Sequence, residues 1–291
     1  MKLIVAIFSA LFIFMNSPKA YAASVLSKVW ESPADFRQPE SVAYDPEKKI
    51  LYVSNLNGEA TAKDGNGFIS KVTLDGSIIS LQWVSGLNAP KGLGVRGKKL
   101  YAADIDELVE INTKNGSVSK RYPIKGAKFL NDVTIDQKGR VYVSDMVTNQ
   151  IDRLDGRKFS VWLEDKNLEC PNGLFAEKDR LMFGAWGEIT EGFNTKTPGR
   201  LKFVSYDSKI VQGIGNGEPL GHLDGVESDG KGGYYVSDWM NGKIFHLDIQ
   251  GTPEMILELG QGTADLKFIP EQKLLIIPQM NQNKVVAFKV E

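Results

Sequence analysis

Residues 130–145 read LNDVTIDQKGRVYVSD, in which two segments of alternating apolar and polar residues flank a charged turn that contains glycine. Alternation with a period of two residues is typical of a β-hairpin with one buried face. Related stretches recur at intervals of 40 to 52 residues, namely PESVAYDPEKKILYVSN (39–55), PKGLGVRGKKLYAAD (90–104), PNGLFAEKDRLMFGA (171–185), LDGVESDGKGGYYVSD (223–238) and ADLKFIPEQKLLIIPQ (264–279). Repetition at this period, without a helical pattern, predicts the blades of a β-propeller.

Each repeat continues into two further predicted strands after the hairpin, as at 68–74 and 78–84 in the first repeat. Six repeats of four strands predict an all-β fold, a six-bladed β-propeller with four-stranded blades that fills residues 23–291 as a single domain. The last repeat has three strands, and residues 25–30 (VLSKVW) match the pattern of a fourth strand. We therefore expect the N-terminal strand to complete blade six and close the ring, which removes an exposed sheet edge.

Residues 1–22, MKLIVAIFSALFIFMNSPKAYA, have the features of a signal peptide. Lys2 provides the positive start, residues 3–15 are almost entirely apolar, and Ala20-Tyr21-Ala22 is a cleavage pattern of small residues. The apolar run is shorter than the about 20 residues that a membrane-spanning helix requires, so stable membrane insertion is not expected. The segment predicts a periplasmic or secreted protein after cleavage near Ala22-Ala23.

Composition narrows the chemistry that this chain can perform. The net charge of −1, from 35 Lys plus Arg and 36 Asp plus Glu, argues against nucleic-acid binding, which needs a clustered positive excess. The single cysteine, Cys170, excludes a disulfide framework within the chain and multi-cysteine metal sites. Only two histidines are present, so we expect the chemistry to depend on carboxylates, amides and the backbone.

One position in each repeat stands out, two residues before the hydrophobic residue that anchors the first strand. It is occupied in the six repeats by Glu40, Lys91, Asn131, Asn172, Asp224 and Ala264. Because the first strand of each propeller blade lines the central channel, these side chains are expected to form a ring at one mouth of it. Two carboxylates and two amides offer oxygen ligands to a hard cation such as calcium. The alternative is that these polar residues only form turns at the strand starts.

The stretches QPESVAYD, FLNDVTIDQKGRVYVSD, CPNGLFAE and LDGVESDGKGGYYVSD resemble the regucalcin–gluconolactonase (SMP-30-like) family of six-bladed propellers, which is related to the paraoxonases. The resemblance covers about residues 38–280 and implies one divalent cation. Calcium is the first choice, and Zn²⁺, Mg²⁺ and Mn²⁺ are alternatives. The residues that match the metal ligands of the family are Glu40, Asn172 and Asp224, and Asn131 matches a residue beside the metal that contacts substrate.

Family membership would imply hydrolysis of a lactone, in which the cation polarises the ring carbonyl. Asp224 would act as the general base that deprotonates the attacking water. Asn131 and Asn172 would orient the oxygen atoms of the substrate. The catalytic residues are therefore expected to be Asp224 and Asn131.

Two departures from the family pattern concern the substrate. Lys91 stands in the ring of predicted metal-site residues, where its ammonium could pair with Glu40, weaken metal binding or attract a carboxylate on the ligand. Phe129 stands two residues before Asn131, where the family often has an arginine that grips a sugar. An apolar residue at that position favours a less polar ligand than gluconolactone.

The predicted connections between second and third strands should overhang the same mouth of the channel. Two of them are long, at 55–67 and 185–199, and loops of this length in compact domains are usually functional or mobile. Trp186, Phe193 and Trp239 are expected to form part of a pocket wall, and His222 to serve there as an auxiliary proton acceptor. The alternative interpretation is that these aromatic residues are exposed on loops and take no part in binding.

The sequence thus predicts a monomeric, periplasmic or secreted metal-dependent hydrolase of the lactonase type, acting on a sugar lactone or a related cyclic ester. The partner is expected to be a small-molecule substrate, with an anionic one suggested by Lys91. The alternative function is a non-catalytic ligand-binding propeller of the NHL type.

Overall fold

The computed structural model describes residues 26–291, so the predicted signal peptide at 1–22 and its cleavage site lie outside the described residues. Within residues 26–291, twenty-four β-strands form six four-stranded antiparallel sheets, and the strands of each sheet follow one another in the chain except at the closing blade. The predicted six-bladed propeller is confirmed. Over the described range, no helix combines the length and the apolar character that crossing a membrane requires.

The blades follow the order of the sequence repeats. Blade one contains β2 (Pro39–Asp45), β3 (Ile50–Asn55), β4 (Gly67–Thr73) and β5 (Ile78–Leu87). Blade two contains β6 (Pro90–Arg96), β7 (Lys99–Asp104), β8 (Glu107–Asn112) and β9 (Val118–Pro123). Blade three contains β10 (Leu130–Ile135), β11 (Val141–Asp145), β12 (Gln150–Asp155) and β13 (Lys158–Glu164).

The second half of the ring has the same organisation. Blade four contains β14 (Pro171–Ala176), β15 (Arg180–Ala185), β16 (Leu201–Ser205) and β17 (Val211–Gly213). Blade five contains β18 (Leu223–Ser228), β19 (Tyr234–Asp238), β20 (Lys243–Leu247) and β21 (Pro253–Glu258). Blade six contains β22 (Lys267–Ile269), β23 (Leu274–Gln279), β24 (Lys284–Val290) and the N-terminal strand β1 (Leu26–Glu31).

The N-terminal strand closes the ring, as predicted. Strand β1 pairs antiparallel with β24, from Leu26 opposite Val290 to Glu31 opposite Val286. The indole N–H of Trp30 donates to the carbonyl oxygen of Leu74 in blade one at 2.8 Å, so the closing strand also contacts the neighbouring blade. The last strand of the chain therefore gains a paired edge instead of presenting open backbone groups.

The hydrophobic core is divided among the interfaces between neighbouring blades. Six clusters of buried residues each join side chains of two adjacent blades. Between blades one and two, for example, the stacked rings of Tyr52 and Trp83 from blade one, with centroids 4.9 Å apart, share a cluster with buried Leu100 and Val109 of blade two. This division fixes the angle between blades and so positions the first strands around the channel.

The second strands of blades three and five end in the sequence Tyr-Val-Ser-Asp, which is residues 142–145 in blade three, and this motif has a structural role. The hydroxyl of Ser144 accepts a hydrogen bond from the backbone N–H of Asp132 at 2.8 Å, beside the ring position. The carboxylate of Asp145 accepts from the backbone N–H groups of Lys128 and Phe129 at 2.9 and 3.1 Å. Equivalent bonds join Ser54 to Ser41, Ser237 to Gly225, Asp104 to Ala89 and Asp238 to His222. The aspartates that end the second strands therefore hold the segment leading into the first strand.

A local irregularity in the first strand brings the ring residues to the channel mouth. In blade four the strand pairing shifts between Pro171 and Leu174, so Asn172 and Gly173 bulge toward the axis. A side-chain carbon placed on Gly173 would lie 1.7 Å from the carbonyl oxygen of Asp224 in blade five. Adjacent first strands thus approach so closely at this level that only glycine fits after Asn172.

Substitution of Gly173 by alanine should be strongly destabilising, because the neighbouring backbone would have to move. We expect the free energy of unfolding to fall by more than about 3 kcal/mol, measured by denaturant titration. Gly213 provides a matched control, since a side-chain carbon there would meet its nearest neighbour, Gly217, at 3.6 Å. Gly213→Ala should change stability by less than about 0.5 kcal/mol. Equal effects of both substitutions would contradict the close approach at the channel mouth.

Candidate functional site

Five of the six ring side chains meet in one cavity at the channel mouth, which we call the mouth cavity. Its volume is about 210 Å³, and it is lined at its base by Glu40, Lys91, Asn131, Asn172 and Asp224. Each of these residues is at most 6% exposed. Ala264, the sixth ring position, is buried and brings no polar group. The base of the cavity therefore holds two carboxylates, two amides and one ammonium.

The hydrogen bonds of the base leave oxygen atoms available. The amide nitrogen of Asn131 donates to the side-chain oxygen of Asn172, and the Asn172 side chain lies beside Asp224. Glu40 Oε2 and Asn131 Oδ1 are buried and have no hydrogen-bond partner among residues 26–291. A buried polar atom without a partner is costly, so these two oxygens indicate a site for a group that the protein itself does not supply.

The electrostatics of the base point to a positively charged group. Burial, together with the nearby Asp224, raises the pKa of Glu40 well above its usual range. Burial and the negative field of Asp132 raise the pKa of Asp224 to about 8, and the neighbouring Asn172 side chain only partly opposes this. Two buried carboxylates in one cavity repel each other when both are ionised. A divalent cation would remove this penalty.

The donor set fits a hard cation. Between residues 26 and 291 there is no group of three or more histidine, cysteine, aspartate or glutamate side chains arranged to hold a metal. The base instead combines the carboxylates of Glu40 and Asp224 with the amides of Asn131 and Asn172. Carboxylate and amide oxygens are ligands of calcium and magnesium, whereas zinc prefers nitrogen and sulfur.

Lys91 is held inside the protein and does not extend into solvent. Its ammonium donates to the carbonyl oxygens of Ala60 at 2.9 Å and Ala89 at 3.2 Å, and it lies 4.5 Å from the centre of the Phe129 ring. Burial lowers the pKa of Lys91 to about 8, although the charge of Glu40 partly restores it. Lys91 therefore carries most of a positive charge at pH 7. The loop at 55–67, which supplies Ala60, thus reaches over the mouth as predicted.

A second group of carboxyls lies deeper in the channel. Asp265 Oδ2 accepts from the hydroxyl of Ser41 at 2.5 Å, and Asp132 Oδ2 accepts from the backbone N–H of Leu174 at 2.5 Å. Burial raises the pKa of Asp132 to about 6. These bonds join blade six to blade one and blade three to blade four.

The walls of the mouth cavity are apolar. They include Phe129, Trp186, Phe193 and Trp239, all four of which the sequence predicts to lie at the pocket. Ring centroids of Phe129 and Phe193 lie 5.6 Å apart, and those of Trp186 and Trp239 lie 6.1 Å apart. The loop at 185–199 carries two of these four aromatic residues.

His222 does not line the mouth cavity. Its ring lies behind Trp186, with centroids 5.2 Å apart, and its Nε2 is hydrogen-bonded to the hydroxyl of Thr195 at 2.9 Å. Burial lowers the pKa of His222, which favours the neutral imidazole. The residue therefore supports the wall from behind, and the Thr195 bond links it to the loop at 185–199.

Three methionines complete the walls and were not anticipated from the sequence. They are Met146, Met240 and Met280. Met146 and Met280 directly follow the ends of second strands β11 and β23, and Met240 follows β19 by two residues. This shared position, at the start of the loop between second and third strands, is the signal that could have identified them.

The sequence matches the family described as the SMP-30/gluconolactonase/LRE-like region over residues 38–264. This chain belongs to that family. The match covers the ring residues from Glu40 to Ala264.

Solved structures show the same fold at low identity. A gluconolactonase from Xanthomonas campestris is 14% identical with a TM-score of 0.68, covering 94% of each chain. A virginiamycin B lyase from Staphylococcus aureus is 14% identical with a TM-score of 0.59, covering 87% of this chain and 95% of its own. A streptogramin B lyase is 12% identical with a TM-score of 0.63, covering 92% and 98%. No curated protein sequence matches this member of the family.

Calcium should stabilise the protein by binding at the base of the mouth cavity. A ligand present at 100 times its dissociation constant stabilises the folded state by about 2.7 kcal/mol, which is measurable as a rise in melting temperature over chelator-treated protein. Glu40→Gln removes one ligand charge and should abolish most of this rise. Glu254→Gln changes an exposed glutamate on β21 and should leave it intact. A melting temperature that is the same with calcium and with chelator would contradict the assignment.

Removing the ammonium of Lys91 should strengthen cation binding. Lys91→Met keeps the length of the side chain but takes away a positive charge that repels the cation. We expect the dissociation constant for calcium at pH 7 to fall severalfold, measured by competition with a chromophoric chelator. An unchanged or weaker affinity would show that Lys91 does not act on the cation through its charge.

Proposed function

We propose that this protein is a divalent-cation-dependent hydrolase that opens a lactone or a related cyclic ester in the mouth cavity. The observation that carries the proposal is the pairing of Glu40 and Asp224 as buried carboxylates in one cavity, beside buried oxygens without partners. Membership of a family that includes gluconolactonases supports the same reaction class.

Glu40, Asn172 and Asp224 would hold the cation, with calcium as the first choice. When bound, the cation would polarise the carbonyl of the ester and stabilise the negative charge that develops on its oxygen. The amide of Asn131 would orient the substrate, since its Oδ1 has no partner among residues 26–291.

Asp224 would act first as the general base and then as the general acid of the reaction. Its carboxylate lies at the base of the mouth cavity, where it can remove a proton from the attacking water. The oxygen of that water adds to the carbonyl carbon, and the carbonyl π electrons move onto the carbonyl oxygen. When the C=O bond forms again, the bond from this carbon to the ring oxygen breaks. Asp224 then returns the proton to the departing ring oxygen, so the product is an open hydroxy acid.

The protein would act outside the cytoplasm. The segment at 1–22 would direct the chain out of the cytoplasm, and the mature protein would act in the periplasm or outside the cell as a monomer. A small-molecule substrate with a negative charge would find Lys91 beside the base of the cavity.

Turnover of lactones with and without metal tests the proposal. The purified mature protein should hydrolyse at least one δ- or γ-lactone in calcium, followed by acid release with a pH indicator, and lose this activity in chelator. Asp224→Asn should lower kcat/KM by at least about 100-fold, the contribution expected of a general base. Asp207→Asn, at an exposed turn of blade four, is the control and should retain activity. Bound calcium without turnover of any lactone would overturn the proposal in favour of a non-catalytic ligand-binding propeller.

A further inference from the structure

We infer that the mouth cavity selects lactones or esters with an apolar body and discriminates against polyhydroxylated sugar lactones. The inference rests on the proposed function for the reaction, and it adds the class of substrate. It follows from the contrast between the polar base of the cavity and the composition of its walls.

The walls present aromatic rings and thioethers. Phe129, Trp186, Phe193 and Trp239 line one part of the cavity, and Met146 and Met240 line another. Aromatic and methionine side chains make favourable contacts with apolar and aromatic ligands, and methionine adapts to irregular shapes.

Most of the hydrogen-bond donors near the walls are already engaged. The indole N–H of Trp186 donates to the carbonyl oxygen of Phe193 at 2.9 Å, so it is not free for a ligand hydroxyl. The ammonium of Lys91 donates to two backbone carbonyl oxygens, and the amide nitrogen of Asn131 is bonded to Asn172. Trp239 can contribute one indole N–H. Polar recognition is therefore concentrated on the ester group at the base.

A sugar lactone carries hydroxyl groups around most of its ring. Each hydroxyl that leaves water for an apolar wall without a new partner lowers affinity by roughly fivefold or more. An alkyl or aryl substituent in the same place would instead be removed from water and gain affinity with each buried methylene. The walls thus favour the apolar substrate in both respects.

The wall is also held in place by the protein. Trp186 is 5% exposed and packs against His222, and Thr195 of the same loop is hydrogen-bonded to that imidazole. Phe193, by contrast, is 45% exposed at the rim. It can be truncated without opening the core, which makes it the residue of choice for a test.

The test compares δ-lactones that share the same ring and differ in their substituents. These are δ-valerolactone, δ-decalactone with its pentyl group, and D-glucono-δ-lactone, all measured in calcium. We expect kcat/KM for δ-decalactone to exceed that for δ-valerolactone by at least about 30-fold, given the gain for each buried methylene. The value for D-glucono-δ-lactone should fall below that for δ-valerolactone.

Two variants test whether the cavity wall causes the preference for the pentyl group. Phe193→Ala should reduce the ratio of δ-decalactone to δ-valerolactone by about threefold or more, because it removes part of the wall. Ile249→Ala is the matched control, since Ile249 is 65% exposed on the turn between β20 and β21, at the opposite end of blade five. It should leave the ratio unchanged.

A binding measurement separates this inference from the proposed function. The lactam analogues of δ-valerolactone and δ-decalactone resist hydrolysis, and their binding can be followed by the fluorescence of Trp186 and Trp239. One outcome is that no lactone is turned over, while the pentyl lactam binds more tightly than the parent lactam and Phe193→Ala reduces this difference. The hydrolase proposal would then fail, and the inferred preference of the cavity for apolar ligands would be supported.

The remaining outcomes overturn the inference. Lactone hydrolysis without a preference for the pentyl group, or with a preference for D-glucono-δ-lactone, would leave the hydrolase proposal intact and contradict the apolar wall. Equal binding of both lactams in the absence of turnover would contradict both proposals.

Discussion

The close approach of neighbouring first strands at the channel mouth is the constraint on which the rest of the site depends. At Gly173 the backbone of blade five comes so near that a side-chain carbon would collide with the carbonyl oxygen of Asp224. The bulge beside this glycine turns Asn172 toward the axis, and the equivalent bulge at Asp224 does the same from the next blade. Packing between blades therefore places polar side chains together in a space that excludes most water.

That placement has an electrostatic consequence. Glu40 and Asp224 are at most 6% exposed, and further carboxyls at Asp132 and Asp265 lie beneath them. The deeper pair is partly compensated by hydrogen bonds from Ser41 and from the backbone of Leu174. The base of the mouth cavity has less compensation, because the ammonium of Lys91 is directed at backbone carbonyls. A bound cation is the simplest way to satisfy the remaining negative charge and the unpartnered oxygens.

The repeats predicted the architecture because strand periodicity and repeat spacing are local properties of the sequence. The ring position was also predictable, since each repeat places it at a fixed distance before a buried hydrophobe such as Val42. The sequence did not predict which groups contact Lys91. It also did not predict that His222 lies behind Trp186 or that methionines line the cavity. These depend on how loops of different blades meet above the channel, and the loop lengths differ from one blade to the next. The structural role of Ser-Asp pairs such as Ser144 and Asp145 depends on the bulge that they hold, and the structure is needed to show that bulge.

The central claim is that the ring at the channel mouth holds one divalent cation. The most direct measurement is the anomalous diffraction signal of calcium in crystals of the mature protein grown with calcium chloride. The account predicts one peak at the mouth, about 2.3–2.6 Å from oxygen atoms of Glu40, Asn172 and Asp224. A map without a peak at the mouth, or with its only channel peak between Asp132 and Asp265, would contradict it.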